Sequence, residues 1–254
     1  EVQVGNRRFF SGIVRDITQQ KEAELDLRRS NKELQDFAYV ASHDLKAPLR
    51  HISLSASFLK DRYQDQFDQQ GEKFIETIIQ STDRMQNMIE SLLSYSRVGR
   101  SNKSDFKAVD LNAVLEEVQE LMASVIEEHH AVIQVGELPK VRGHHEFLRQ
   151  LFQNLIQNSI KYGKENVPAV IEIEAKSMAN MWSISFADNG IGIDADYEDK
   201  VFQIFERLHR DDEYEGVGIG LSICLRIVEL HGGKIWLDPE YKGGAKFTFL
   251  LESS

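Results

Sequence analysis

The chain has 254 residues, of which 41% are hydrophobic, with one cysteine and a formal net charge of -11. That length and apolar content allow two ordinary domains with a packed core, and the acidic balance excludes a nucleic-acid surface or an anionic-lipid face, each of which needs a concentrated basic patch. The longest apolar runs fall far short of the roughly 20 residues of a membrane span, so no membrane segment is expected in this fragment. The opening Glu1-Val-Gln-Val-Gly shows neither an initiating Met nor a signal-peptide pattern, which reads as a piece cut from a longer protein. Cys224 has no partner for an internal disulfide, and its neighbours Ile223 and Leu225 make it a core thiol, fitting a reducing cytoplasm.

Phe9-Phe10-Ser-Gly-Ile13-Val14-Arg-Asp16-Ile17-Thr18 predicts one or two short strands and then a helix N-cap at Asp16 or Thr18. From about 19 to 63 the only strong breaker is Pro48. Leu27, Leu34 and Ala41 stand seven apart with Phe37 between them, giving a long helix with a coiled-coil seam. Within it, Phe37, Val40, Ala41, Leu45 and Leu49 recur at core spacing, and His43, followed by Asp44, lies off that stripe. Pro48 removes a backbone donor, so a bend is expected within a turn of His43.

A polar stretch over 63–71 precedes a second helical pattern from Phe74 to Leu93 that ends near Val98-Gly99. Two antiparallel helices cannot bury this much apolar surface between themselves. A symmetric homodimer forming a four-helix bundle is the simple remedy, with a monomeric hairpin docked on the second domain as the alternative.

Residues 99–108 read as a linker. Beyond them helices are expected at about 111–129, 144–162 and 217–231, and strands near 131–135, 169–176, 181–187, 234–238 and 246–251. Paired strands joined by short turns imply a mixed sheet covered by helices on one face, an α+β sandwich. The fold class is therefore multidomain: an all-α helical hairpin followed by this sandwich. The domain boundaries are 1–18 for a preceding module and its linker, 19–98 for the hairpin, 99–108 for the linker and 109–254 for the sandwich.

On the helix Leu151-Phe-Gln-Asn154-Leu-Ile-Gln-Asn158-Ser-Ile-Lys161-Tyr162, Asn154, Asn158 and Lys161 share one face. Asparagine is a mediocre helix former. An amide oxygen suits magnesium that already carries phosphate oxygens, and a lysine beside it neutralises those phosphates. Asp188, in Phe186-Ala-Asp188-Asn-Gly190-Ile-Gly192-Ile193, ends a strand as an acceptor suited to an adenine amino group, and Gly190 and Gly192 permit close backbone approach. The run Gly216-Val-Gly218-Ile-Gly220 opens a helix whose N–H groups can meet a phosphate. It is not the dinucleotide fingerprint, and no P-loop occurs.

Taken in order, the segments 37–50, 151–162, 186–193, 201–207 and 216–223, with Gly243-Gly244-Ala-Lys-Phe247, resemble the H, N, first glycine, F, second glycine and final glycine boxes of two-component sensor histidine kinases. The resemblance covers about residues 19–252. It implies a dimerisation and phosphotransfer hairpin followed by an ATP-binding domain of the GHKL ATPase type. ATP and Mg2+ are the implied cofactors.

By the same resemblance Asn158 is the metal ligand and Asp188 binds adenine. Asn154, Lys161, Tyr162, Gly190, Gly192, Gly216, Gly218 and Gly220 belong to the nucleotide site. Val201-Phe202-Gln-Ile-Phe205-Glu-Arg207 supplies Phe202 and Phe205 as lid anchors and Arg207 as a phosphate contact. Arg207–Tyr214 is similar to phytochrome-like members, and residues 9–18 resemble the end of a PAS sensor module in the same chain.

The activity implied is phosphorylation of His43 from ATP, with Asp44 holding the proton of the other ring nitrogen. The phosphoryl group then passes to an aspartate on a response-regulator receiver. The departures from the family pattern are Val217 for a usual threonine, Ser159 for a frequent alanine, and Ala47 where Thr or Asn often orients water for dephosphorylating the partner. Two alternatives remain. One is a conformational ATPase like gyrase and the heat-shock chaperones, which need a carboxylate where this chain has Asn154. The other is a nucleotide-binding dimeric scaffold without catalysis.

Overall fold

The computed structural model describes residues 2–4, 7–9, 16, 18–101, 103–198, 200–206 and 218–254. Side chains are described at Asp16, Thr18, Gln19, Lys21 and Glu22, and from Val40 onward at all of these residues except His43, Gln64, Arg100, Lys103 and Ala195. The seam residues Leu27, Leu34 and Phe37 therefore lie outside the described side chains. The chain divides at Phe37 into two units.

In the first unit β1 (Val2–Val4) and β2 (Arg7–Phe9) form an antiparallel pair with Val2 opposite Phe9. Helix α1 (Thr18–Tyr63) begins after Asp16, whose carboxylate accepts the N–H of Thr18 at 2.9 Å. Of the two capping residues expected, Asp16 is the one used.

The second unit begins with the remainder of α1 and the antiparallel α2 (Gln69–Arg100). Asp68 caps α2 by accepting the N–H of Gly71 at 2.8 Å. Helix α1 runs on through Pro48, which cannot donate to the Asp44 carbonyl one turn earlier. Two ion pairs join the helices, Lys46 to Glu90 at 2.8 Å and Lys60 to Glu76 at 2.9 Å. The spacing between the pairs is equal on both helices, so the hairpin keeps one register along this length. Exposed pairs of this kind contribute about 0–1 kcal/mol each, so they report the register more than they hold it. Leu49, Ile89 and Leu93 pack between the helices. Val40 and Leu45, placed on the core stripe by their spacing, are 57% and 52% exposed, and Phe58 and Phe74 are 70% and 60% exposed. Each helix covers only one side of its neighbour, and the rest of the apolar surface stays open.

The end of α2 enters the next domain directly. Val98 is fully buried in the large core and Tyr95 packs against it. The expected linker is shorter than the sequence suggests. Lys107–Asp110 forms β3, paired antiparallel with β5 (Lys140–Gly143). These four-residue strands carry no apolar alternation long enough to read.

The expected helix at 111–129 is broken at Met122 into α3 (Leu111–Leu121) and α4 (Ala123–Glu128). The main sheet has the order β4-β6-β7-β9-β8, made from Val132–Val135, Val170–Met178, Met181–Asp188, Lys246–Glu252 and Ile235–Leu237 respectively. Its β4–β6 pair is parallel and the other pairs are antiparallel, which gives the expected mixed sheet.

Along β6, Ile171 and Ile173 are buried while Glu172 and Glu174 are exposed, so helices cover one face and the other is solvated. The cover includes α5 (His145–Lys161) and α6 (Gly220–Leu230). Phe152 of α5 meets Phe186 edge-on at 5.0 Å, with Phe249 stacked beyond it at 6.0 Å from Phe186. Truncating such a buried aromatic costs about 3–5 kcal/mol. Where the chain enters this domain, Phe106 stacks on buried His231 at 4.6 Å. His231 accepts the backbone N–H of His144 on Nε2 and donates from Nδ1 to the Ile227 carbonyl, which ties the start of α5 to the end of α6.

Candidate nucleotide site

The apolar stripe of α5, from Leu148 through Leu151, Phe152 and Leu155 to Ile160, is buried on the sheet. That packing fixes the opposite stripe, so Asn154, Asn158 and Lys161 line one cavity together with Gln150, Gln153 and Gln157. Asn154 donates to the Gly220 carbonyl at 3.2 Å and its amide lies close enough to the Cys224 thiol to oppose the rise in that thiol's pKa. Its amide thus joins α5 to α6. Lys161 donates to the Tyr162 hydroxyl at 3.0 Å and lies 4.5 Å from the centre of that ring.

At the far end of the cavity is Asp188, only 6% exposed. Its Oδ1 accepts the N–H groups of Ala245 at 2.8 Å and Gly190 at 3.0 Å, and its Oδ2 accepts the Ser159 hydroxyl at 3.2 Å. Burial raises its pKa above the ordinary 3.8, against the lowering effect of those three donors and of Lys164. The carboxylate is thereby held in one orientation and partly shielded from water. Gly190 is buried, and a Cβ there would collide with the Tyr162 carbonyl. The glycine is demanded by the approach of the end of α5 to the end of β7.

Helix α6 opens at Gly220 with no side-chain cap, and Gly218, Gly220 and Leu221 line the cavity. Its first N–H groups are the kind that bind an anion. Gly218 has φ +74°, and its carbonyl accepts the N–H of Phe205 at 3.0 Å.

The two phenylalanines expected as lid anchors differ. Phe202 packs edge-on against Phe247 at 6.1 Å, whereas Phe205 is 51% exposed and left-handed, with φ +67°. The hydrogen bond to Gly218 turns the chain there and directs its side chain away from the core. Arg207 and Gly216, with Val217, lie outside the described residues.

The cavity, about 940 Å3, is walled on its other side by α2 through Gln80, Asp83, Arg84, Asn87, Glu90 and Ser94. Gln150 donates to the Ser94 hydroxyl at 2.6 Å and pins α2 to α5. His43 lies in α1, with its side chain outside the described ones. Asp44 and Ala47 are exposed on the same helix.

Of the residues expected to form a nucleotide site, Asn154, Asn158, Lys161, Tyr162, Asp188, Gly192, Gly218 and Gly220 line this one cavity. Two contributions escape a reading of the sequence. Ser159 is a hydrogen-bond donor that holds Asp188, and its only signal is a hydroxyl in an otherwise apolar stripe. The α2 wall gives no signal, because its residues are those of any solvated helix face.

The donor set fits a magnesium nucleotide. A buried acceptor stands at one end, amide oxygens and an ammonium in the middle, and an uncapped helix N-terminus beside them, in a volume typical of ligand sites. Among the described residues, no helix is long and apolar enough to cross a membrane.

Comparison with known proteins agrees with this geometry. Residues 33–101 match the His Kinase A (phospho-acceptor) domain, and residues 143–254 match the histidine kinase-, DNA gyrase B- and HSP90-like ATPase family. Cyanobacterial phytochrome A of Nostoc sp. is 40% identical over 239 residues, which is 94% of this chain and 31% of that protein. The chain thus spans about a third of the length of the curated relatives it matches. Full-length ShkA in complex with AMPPNP shares the fold with a TM-score of 0.65 at 22% identity, over 86% of this chain and 46% of that one. Histidine kinase ThkA in complex with response regulator protein TrrA does so with a TM-score of 0.61 at 22% identity, over 94% and 68%. The order of the two matched domains, the cavity they enclose and the phytochrome relatives together assign the chain to the sensor histidine kinases, as their phospho-acceptor and ATP-binding catalytic part.

Proposed function

We propose that this chain is an ATP-dependent protein-histidine kinase that phosphorylates its own His43 and passes the phosphoryl group to a response-regulator aspartate. The observation that carries the reading is the single cavity that joins Asn158, Asp188 and the start of α6 to a wall of the helical hairpin whose other helix bears His43. A ring nitrogen of His43 that carries a free lone pair attacks the γ-phosphorus. The bond from that phosphorus to the bridging oxygen breaks, and ADP leaves. Asp44 takes or holds the proton of the other ring nitrogen. An aspartate carboxylate of the receiver then attacks the same phosphorus and the phosphorus–nitrogen bond breaks, restoring His43.

Asn158 is the residue that would hold magnesium, which disperses charge on the phosphate oxygens. Lys161 and the start of α6 neutralise the phosphates. The ATPase alternative is disfavoured by Asn154, whose amide is engaged with the Gly220 carbonyl and has no basic group to activate water. Incubation with γ-labelled ATP separates the possibilities. Acid-labile, base-stable label on the protein is expected; free phosphate alone supports the ATPase, and neither product supports a scaffold.

Asp188 is the proposed adenine reader. Asp188→Ala should weaken ATP binding about tenfold or more, the scale of a charge-assisted hydrogen bond, as read by titration with a fluorescent ATP analogue. Because burial raises its pKa, Asp188 takes up a proton above pH 3.8 as pH falls. Affinity should drop through that raised value in the parent, and the corresponding step should be missing in Asp188→Asn. Affinity unchanged in Asp188→Ala would mean that the cavity has been misassigned.

We further assign 19–98 to dimerisation and phosphotransfer, 109–254 to ATP binding, and 1–18 to the end of a PAS-like module upstream, with the whole fragment in the cytoplasm. Response regulator protein TrrA in its complex with ThkA supports a receiver as acceptor. The exposed Val40, Leu45, Phe58 and Phe74 favour a homodimer that buries them. Light scattering at concentrations on the order of tens of micromolar should give twice the chain mass, and Leu45→Glu with Phe58→Glu should halve it. A monomeric parent at that concentration would remove the dimer from the proposal.

A further inference from the structure

We propose that Arg84, carried by the phosphotransfer hairpin, is a polyphosphate-binding residue of the nucleotide site, so that ATP is gripped from both domains at once. This rests on the kinase reading and adds to it a contact from outside the ATP-binding domain.

Among the described residues that line the cavity, the cationic side chains are Lys161 and Arg84. They come from opposite walls. Lys161 lies with Asn154 and Asn158 on α5, and Arg84 faces the same space from α2. The two helices are fixed to each other by the hydrogen bond from Gln150 to Ser94. From that contact the cavity follows α2 back to Gln80 and α5 forward to Tyr162, placing Arg84 roughly 15 Å along α2 from the pin.

The charge on the α2 wall favours this assignment. The carboxylates of the α2 wall are Asp83 and Glu90, and Glu90 is paired with Lys46 at 2.8 Å. A nucleoside triphosphate brings about four negative charges. Among the described residues, the Lys161 ammonium, a magnesium ion held at Asn158 and the start of α6 leave part of that charge unmatched. A guanidinium matches two phosphate oxygens at once through its planar fork. It also gives the kinase a reason to hold ATP best when the hairpin is docked, since a phosphate contact from α2 exists only in that arrangement.

The test uses calorimetric titration of the full chain with the magnesium complex of a non-hydrolysable ATP analogue and, separately, with adenosine. Arg84→Gln should weaken the analogue about five- to tenfold, the range of a partly exposed charge-assisted contact, and leave adenosine unchanged. Arg84→Lys should recover part of the loss. Equal affinity of the parent and Arg84→Gln for the analogue overturns the assignment of Arg84, and leaves the kinase reading standing if Asp188→Ala still weakens both ligands. Equal losses for the analogue and adenosine overturn it too, because the wall would then act on the site as a whole and not on the phosphates. A parent that binds neither ligand overturns both readings.

Discussion

His43→Gln should take up no acid-labile label from γ-labelled ATP, while its affinity for nucleotide stays that of the parent. Glutamine keeps a polar side chain of similar reach, so helix α1 and the pairing of Lys46 with Glu90 are preserved. What is lost is a nitrogen lone pair able to form a bond to phosphorus at neutral pH. The expected effect is complete. His51, eight residues further along the same helix and exposed, is the natural control, and His51→Gln should label like the parent. Undiminished acid-labile label in His43→Gln would end the assignment of the phospho-acceptor, and label lost in both variants would point to damage to the hairpin.

Asn158→Ala should lower magnesium-dependent labelling by about two orders of magnitude or more, the scale on which preorganised charge stabilisation acts in transfer reactions. Asn158 is half-buried on the cavity face of α5, so truncation removes an amide and no core contact. Thermal stability should barely move. Adenosine affinity should also hold, because the proposed base-binding end is built by Asp188 with Ser159 and Ala245 and does not use Asn158. If magnesium raises the rate as much in the variant as in the parent, the metal is held by some other group.

Much of this arrangement is legible in the sequence. The period of α5 carries both its buried stripe and its amide face, so placing Leu151 and Phe152 against the sheet also places Asn154 and Asn158 toward the cavity. Asp188 was legible for a similar reason, as a carboxylate at the end of an apolar strand followed by glycines. What escaped depends on contacts between elements distant in sequence. Strand β3 exists because β5 is there to pair with it, and Lys107-Ala-Val-Asp has too little pattern to announce it. The exposure of Leu45 depends on what covers α1, which its spacing cannot say. The α2 wall follows from Val98 and Tyr95 anchoring that helix in the next domain's core, and nothing in Asp83, Arg84 or Asn87 marks them in the sequence as lining a cavity.

Cys224 is a buried reporter of the contact between α5 and α6. It is the chain's only thiol, fully buried, with burial pushing its pKa up to about 12 against the opposing pull of the Asn154 amide. In the closed protein it is both out of reach and protonated, and so inert to an alkylating reagent. Alkylation therefore requires α5 and α6 to part. A ligand that spans those two helices lengthens the wait for alkylation by the inverse of the fraction of protein left unoccupied, so the thiol's modification rate reports how often the seam beneath the asparagine face opens.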